Sequence, residues 1–220
     1  MKAGQIWKPR EHVYLQLVTY SGHNPFVLPD KLKRIHLRGN YPQKMLDYMT
    51  MANYTDHALG ILLSYLKSRP DWRETMVVIV GDHEGLAADR ADIRRSAVGR
   101  RVVPAGQYTP FIVLNSPVAM RYDGVLGQVD MYPTILNLMH LDNYLWRGMG
   151  QSLLDKRKKA VAVGSQMNVE GDIPHTSKVE ISRLTQAHTV ADWVIRYNME
   201  QPLPVLRQDS DKAAKQRLNR

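Results

Sequence analysis

Apolar residues recur along this chain in two rhythms, and their alternation outlines the secondary structure. Val13–Thr19 (VYLQLVT) is short and β-rich. It runs into the turn-forming stretch Tyr20-Ser21-Gly22-His23-Asn24-Pro25, which predicts a strand followed by a loop. Between Pro42 and Ser68 the period lengthens: Met45, Met49, Ala52, Leu59, Leu62, Leu63 and Leu66 fall on one helical face. Gly60 is the one interior glycine and Pro70 follows closely, so one long helix or two joined ones are predicted. Met76–Val80 (MVVIV) and Phe111–Leu114 (FIVL) are unbroken apolar runs, the pattern of strands covered on both faces in a parallel sheet. Asp130–Leu141 has helical spacing, with Asp130 as helix cap, Pro133 in the first turn, and Ile135, Leu138 and Met139 facing the core.

After Gly148-Met149-Gly150 the pattern shifts to a short strand at Ala160–Val163, an amphipathic helix at Thr185–Asn198 and a polar, basic stretch from Gln201 onward. Strands alternating with helices predict an α/β architecture, a mixed but mostly parallel sheet with flanking helices. The expected organisation is a main segment 1–155, a terminal strand and helix in 156–200 that complete it, and a basic, disordered tail at 201–220.

Composition narrows the chemistry. The 220 residues are enough for one large domain with a real core. Lys and Arg number 30 against 21 Asp and Glu, a formal charge of +9, which suits anionic partners such as phosphate esters, acidic headgroups or nucleic acid. The excess is concentrated in runs, notably Lys31–Arg38, Arg90–Arg101 and Lys156–Lys159. A nucleic-acid module is disfavoured, because the basic residues are not interleaved with aromatics and no nucleic-acid motif is present. The absence of cysteine excludes disulfides, a thiolate nucleophile, Cys-ligated zinc and Fe–S clusters. No apolar run approaches the roughly 20 residues of a membrane-spanning helix, and MKAGQIWKPREH has no apolar stretch of the signal-peptide kind. Any export or anchoring instruction is expected outside this chain.

The most informative segment is Met76-Val77-Val78-Ile79-Val80-Gly81-Asp82-His83-Glu84-Gly85. Ligands of open α/β sheets collect at the carboxyl ends of strands, which is where Asp82 and His83 fall. A carboxylate beside an imidazole makes a good donor pair for a divalent metal. On the dipeptide alone, Asp82 as a helix cap and His83 as a hydrogen-bonded loop residue remain open. The loop Asp89–Arg101 (DRADIRRSAVGRR) follows directly. Arg90, Arg94 or Arg95 could grip a phosphate bidentately, or the loop could be a mobile, solvated insertion.

The order of segments is more specific than any single motif. Tyr20-Ser21-Gly22-His23-Asn24-Pro25-Phe26 comes first, then the helix with Tyr54-Thr55-Asp56-His57-Ala58-Leu59-Gly60, then Gly81-Asp82-His83-Glu84-Gly85. Thr109–Leu114, Gln128–Leu138 and Gly148-Met149-Gly150-Gln151-Ser152-Leu153-Leu154 follow. Over roughly residues 12–155 this succession resembles the C-terminal half of sulfatase-family enzymes of the alkaline phosphatase superfamily, most closely the branch of lipoteichoic acid synthases and phosphoglycerol transferases. The resemblance implies an alkaline-phosphatase-like fold, with Asp82 and His83 as metal ligands and His23 facing the phosphate or sulfate group. Without it, His23 reads as a loop histidine capping its own turn. The implied cofactor is a divalent metal, Mn²⁺ first, with Mg²⁺, Ca²⁺ and Zn²⁺ as alternatives. The implied partner is an anionic phosphate- or sulfate-ester substrate, a lipid-linked one among the candidates. The implied chemistry is hydrolysis or transfer through a covalent enzyme intermediate, in an extracytoplasmic domain of a membrane-anchored protein.

The departures matter too. The family's nucleophile and a further acidic ligand belong to its N-terminal half. Here Cys is absent, no Thr matches the nucleophile, and Ser68-Arg69-Pro70-Asp71-Trp72 has Trp72 where the family's Ser-x-Pro-x-Arg pattern requires Arg. The chain is therefore expected to be an incomplete catalytic domain, inactive by itself, and able to self-associate through an exposed sheet edge. A degenerate member without catalysis, or a basic binding module, is the alternative.

Overall fold

The structure, a computed structural model, describes residues 12–141, 146, 148–164 and 166–197. The N-terminal segment 1–11, Asn198 and the expected basic tail 201–220 lie outside the described residues. The chain divides into two compact units, Met1–Asn115 and Ser116–Arg220.

In the first unit the predicted long helix is a single one, α1, Gln43–Ser68. Pro42 opens it, where a missing N–H costs nothing. Arg69 ends it in an extended conformation, as the clash with the following Pro70 ring demands. Met45, Met51 and Leu66 are buried on α1, while Ala52, expected on the inner face, is exposed. A 3₁₀ turn at Trp72–Glu74 leads to β1, Val77–Val80. Two short helices, α2 (Arg90–Ile93) and α3 (Ala97–Val102), come next, then β2, Phe111–Leu114.

The strands correct the sequence expectation. β1 and β2 pair with each other antiparallel, Val77 opposite Leu114 and Val80 opposite Phe111. A continuous apolar run reports how a strand is covered and not which way its neighbour runs. Even that covering is partial, since Val80 and Ile112 are each about half exposed. Val13–Thr19 joins no sheet among the described residues, and its apolar side chains stand in solvent. The core of this unit gathers Phe26, Leu28, Met45, Met51, Leu86, Ile93 and Val103, with Tyr41, Tyr48, Met49 and Tyr54 packed against it. Fully burying a side chain such as Phe26, Met45 or Ile93 contributes roughly 1.5–3 kcal/mol.

The second unit holds α4 (Met131–Leu138), preceded by a 3₁₀ turn at Gln128–Asp130. It also contains an antiparallel hairpin of β3 (Val161–Val163) and β4 (Val169–Gly171), and α5 (Lys178–Arg196). The described sheets are thus both two-stranded and antiparallel, not the mostly parallel sheet expected. Leu138 faces inward as predicted, but Met139 lies past the helix end and is half exposed.

Asp130 does more than begin α4. It is buried, and its carboxylate makes no cap bond to that helix. One oxygen instead accepts from Gly127 N at 3.0 Å, the other from Gln151 N at 2.7 Å, and Lys158 Nζ lies 3.2 Å away. Gly150 makes this possible: a Cβ there would lie 1.8 Å from the Val129 carbonyl oxygen, so only glycine lets the 148–151 loop come so close.

Candidate metal and phosphate site

Every residue singled out for chemistry belongs to the first unit. His23 stands on the turn after the exposed N-terminal run. His23 N donates to Tyr20 O at 3.1 Å, and its ring stacks on Tyr20 with centroids 6.1 Å apart. Its Nδ1 is 2.7 Å from the Asn24 carbonyl oxygen. A carbonyl can only accept, so Nδ1 carries a proton and Nε2 is left to meet solvent or a ligand. The turn is anchored by Phe26, which adopts a φ of 60° yet is 3% exposed. A left-handed backbone costs a residue with a Cβ about 1–2 kcal/mol, which burial of the ring offsets.

Asp82 and His83 follow β1 directly, at the strand end that sequence reasoning singled out. Asp82 Oδ1 accepts from His83 N at 2.9 Å, and Asp82 Oδ2 lies 3.8 Å from His83 Nε2. His83 Nδ1 is 2.9 Å from Glu84 O and so donates to it, which leaves the neutral ring's lone pair on Nε2, facing the carboxylate. Two donors each about 2.1 Å from one ion stand roughly 3–3.5 Å apart. A carboxylate oxygen and an imidazole nitrogen at 3.8 Å stand a few tenths of an ångström wider than one edge of a divalent ion's coordination shell, so a small side-chain adjustment would bring both onto one ion. They supply two donors, and no group of three acidic or histidine side chains able to hold a metal occurs among the described residues. Both side chains are open to solvent, at 85% and 70% exposure.

The basic loop is folded, not a solvated insertion. Arg90 is ion-paired with Glu84, both largely shielded from water. Lys44 on α1 bridges to Asp89 at 2.7 Å. Ile93 is buried in the core, and Ser96 caps α3 by accepting from Gly99 N at 2.9 Å. Arg94 donates to the Val103 carbonyl. Arg90 and Arg94 thus hold the loop together, whereas Arg95 is exposed, with a 3.1 Å contact to Asp92.

Sequence reasoning missed Tyr48. Its ring meets Phe26 edge-on at 5.2 Å, and a Cβ on Gly85 would lie 2.5 Å from Tyr48 Cε2. One tyrosine therefore touches both the turn that follows His23 and the turn that carries Asp82 and His83. Its place three residues after Met45 on α1 was the available signal. Leu86 closes the second turn onto the same core as Phe26.

A family profile described as Sulfatase matches residues 5–141, a span that contains His23, Asp82, His83 and the whole basic loop. The chain belongs to the sulfatase family. Helices and antiparallel strands of this chain are thus elements of that family's α/β, alkaline-phosphatase-like architecture. The lipoteichoic acid synthases of Staphylococcus aureus strains USA300, NCTC 8325 / PS 47 and MRSA252 are each 29% identical to it over 152 residues. The match covers 64% of this chain and 23% of each relative, so the chain spans about a quarter of the length of the curated relatives it matches. No helix of the described residues is long and apolar enough to cross a membrane.

Proposed function

We propose that this chain is the C-terminal part of the catalytic domain of a metal-dependent phosphoglycerol transferase- or sulfatase-like enzyme. It acts on an anionic phosphate or sulfate ester, a lipid-linked one among the candidates, outside the cytoplasm and within a membrane-anchored parent. The observation that carries the reading is the Asp82–His83 pair, which presents a carboxylate oxygen and an imidazole Nε2 at 3.8 Å from the turn after β1, in a sulfatase-family segment. Lipoteichoic acid synthase relatives favour transfer of a phosphate ester over sulfate hydrolysis.

In this reading Asp82 and His83 hold the ion, Mn²⁺ by preference, and the Glu84 carbonyl fixes the His83 tautomer. When bound, a divalent metal would supply charge neutralisation at the reacting oxygens and ease deprotonation of the nucleophile. His23, through Nε2, holds a non-bridging oxygen of the ester or delivers a proton to the departing alkoxide. Arg95, which the loop leaves exposed, is the arginine this reading assigns to the substrate anion, while Arg90 and Arg94 keep the loop in shape. The nucleophile and the remaining metal donors come from outside this chain, so the chain alone is inactive.

The test is Asp82→Ala and His83→Ala in the full-length protein, with metal content and turnover measured side by side. Metal content should collapse, and activity should fall by more than the roughly 10–100-fold that follows loss of an outer-shell partner. Unchanged metal and turnover in both variants would sink the assignment. The strong exposure of both donors favours a second reading, a family member that keeps the fold without the chemistry. Absence of metal and turnover in the unmutated full-length protein would establish that one.

A further inference from the structure

A cleft of about 460 Å³ opens between the segment after Phe26 and helix α1, lined by Lys31, Leu32, Lys33, Arg34, Tyr54 and His57. Its lining shares no residue with the Asp82–His83 pair, with His23 or with the arginine loop. Tyr54 and His57 are three apart on α1 and so share a face; Tyr54 also packs against the core, which gives the cleft a firm wall. Asp56 belongs to a different face of α1 from Tyr54.

The charges on the opposite wall are not equivalent. Lys33 is paired with Asp30 at 2.7 Å, which holds the Asp30 carboxyl below its usual range and raises the Lys33 ammonium. Lys31 and Arg34 have no ion-pair partner among the described residues. From Leu32 to Arg38 burial alternates strictly, with Lys33, Ile35 and Leu37 half-buried and Arg34, His36 and Arg38 exposed. The half-buried positions fix the ribbon, and the exposed ones set Arg34 and Arg38 along one edge. On α1, Asn53 lies one turn before His57 on the same face, and its Oδ1 is buried without a hydrogen-bond partner.

We infer that this cleft is a second anion site, in which Lys31 and Arg34 hold the phosphate group of a phosphate ester while Tyr54 and His57 meet its polar substituent. A guanidinium and an ammonium lining the same cleft offer the directed and diffuse halves of phosphate recognition. The volume falls in the range of small-ligand pockets, roughly 300–1,000 Å³, and exceeds what a bare ion needs.

The experiment titrates the full 220-residue chain with inorganic phosphate by calorimetry. In parallel, vesicles of phosphatidylcholine with and without phosphatidylglycerol are used in a flotation assay. The site predicts saturable phosphate binding, weakened at least tenfold in Lys31→Gln/Arg34→Gln, weakened by salt, and unchanged in Asp82→Ala. Because both substituted side chains are solvent-facing, circular dichroism should show the variant folded; Lys31→Gln alone, expected to show an intermediate loss, serves as the second variant. Binding of phosphate with no preference for the anionic vesicles identifies a soluble ester, and selective flotation with phosphatidylglycerol identifies a lipid headgroup. No saturable binding to either probe, or equal binding by parent and double variant, overturns the inference. Loss in Asp82→Ala with retention in the double variant would assign the phosphate to the metal-pair site instead.

Discussion

The contact between Tyr48 and Gly85 is the smallest feature on which the candidate site depends. A methyl group at position 85 would lie 2.5 Å from Tyr48 Cε2, and the ring cannot simply swing aside because Phe26 packs against it. Gly85→Ala is expected to cost about 1–3 kcal/mol, the usual range for overpacking, read as a lowered urea midpoint for the first unit. Tyr48 is partly buried, so Tyr48→Ala is expected to cost less than the roughly 3–5 kcal/mol of a fully buried aromatic. With the ring gone, adding Gly85→Ala should cost almost nothing more, so the double-mutant cycle should show strong coupling. Additive losses would mean that ring and turn do not meet in this way.

At the scale of elements, Asp130 joins three pieces of chain that are distant in sequence: the turn before α4, the Gly150–Gln151 loop and the segment at Lys158. Both charged side chains of the Asp130–Lys158 pair are 7% exposed. Asp130→Ala therefore leaves the buried Lys158 ammonium without its carboxylate, held by the Lys159 and Val161 carbonyls, and strands two backbone donors, at an expected cost of about 3–5 kcal/mol. Lys158→Met in that background should recover part of the loss, measured by thermal melting; no recovery would place the cost elsewhere. Asp130 was legible in the sequence as the start of a helix, because N-cap chemistry is local. Its actual partners 21 and 28 residues away left no local trace. The same division holds for the rest of the fold. α1 was readable to within a residue, since Pro42 and Pro70 bracket a clear helical period. The direction of β1 and β2 was not, because apolar runs do not encode strand polarity. Asp82 and His83 were readable as a pair at a strand end. That Arg90 and Arg94 are occupied by Glu84 and Val103 depends on tertiary packing, to which a run of arginines is blind.

For the molecule as a whole, several carboxylates are set to matter in acid. Arg183 holds Glu180 below its usual range, Arg157 does the same for Asp155, and Lys33 for Asp30. Each binds its proton less readily folded than unfolded. Their stabilisation is therefore complete above the unfolded carboxylate range, about pH 4, and is lost as pH falls through the lowered folded values. Helical ellipticity at a fixed temperature should hold down to about pH 4 and decline below it, and Asp155→Asn should lessen the decline. An unchanged signal down to pH 2 would show that these pairs add nothing measurable. The Tyr48–Gly85 contact has a last consequence, on the scale of descent. A lineage that keeps a large ring at position 48 is committed to glycine at 85. Position 85 opens to alanine or serine only after 48 has shrunk, so the order in which these two substitutions can accumulate is set by a single van der Waals contact.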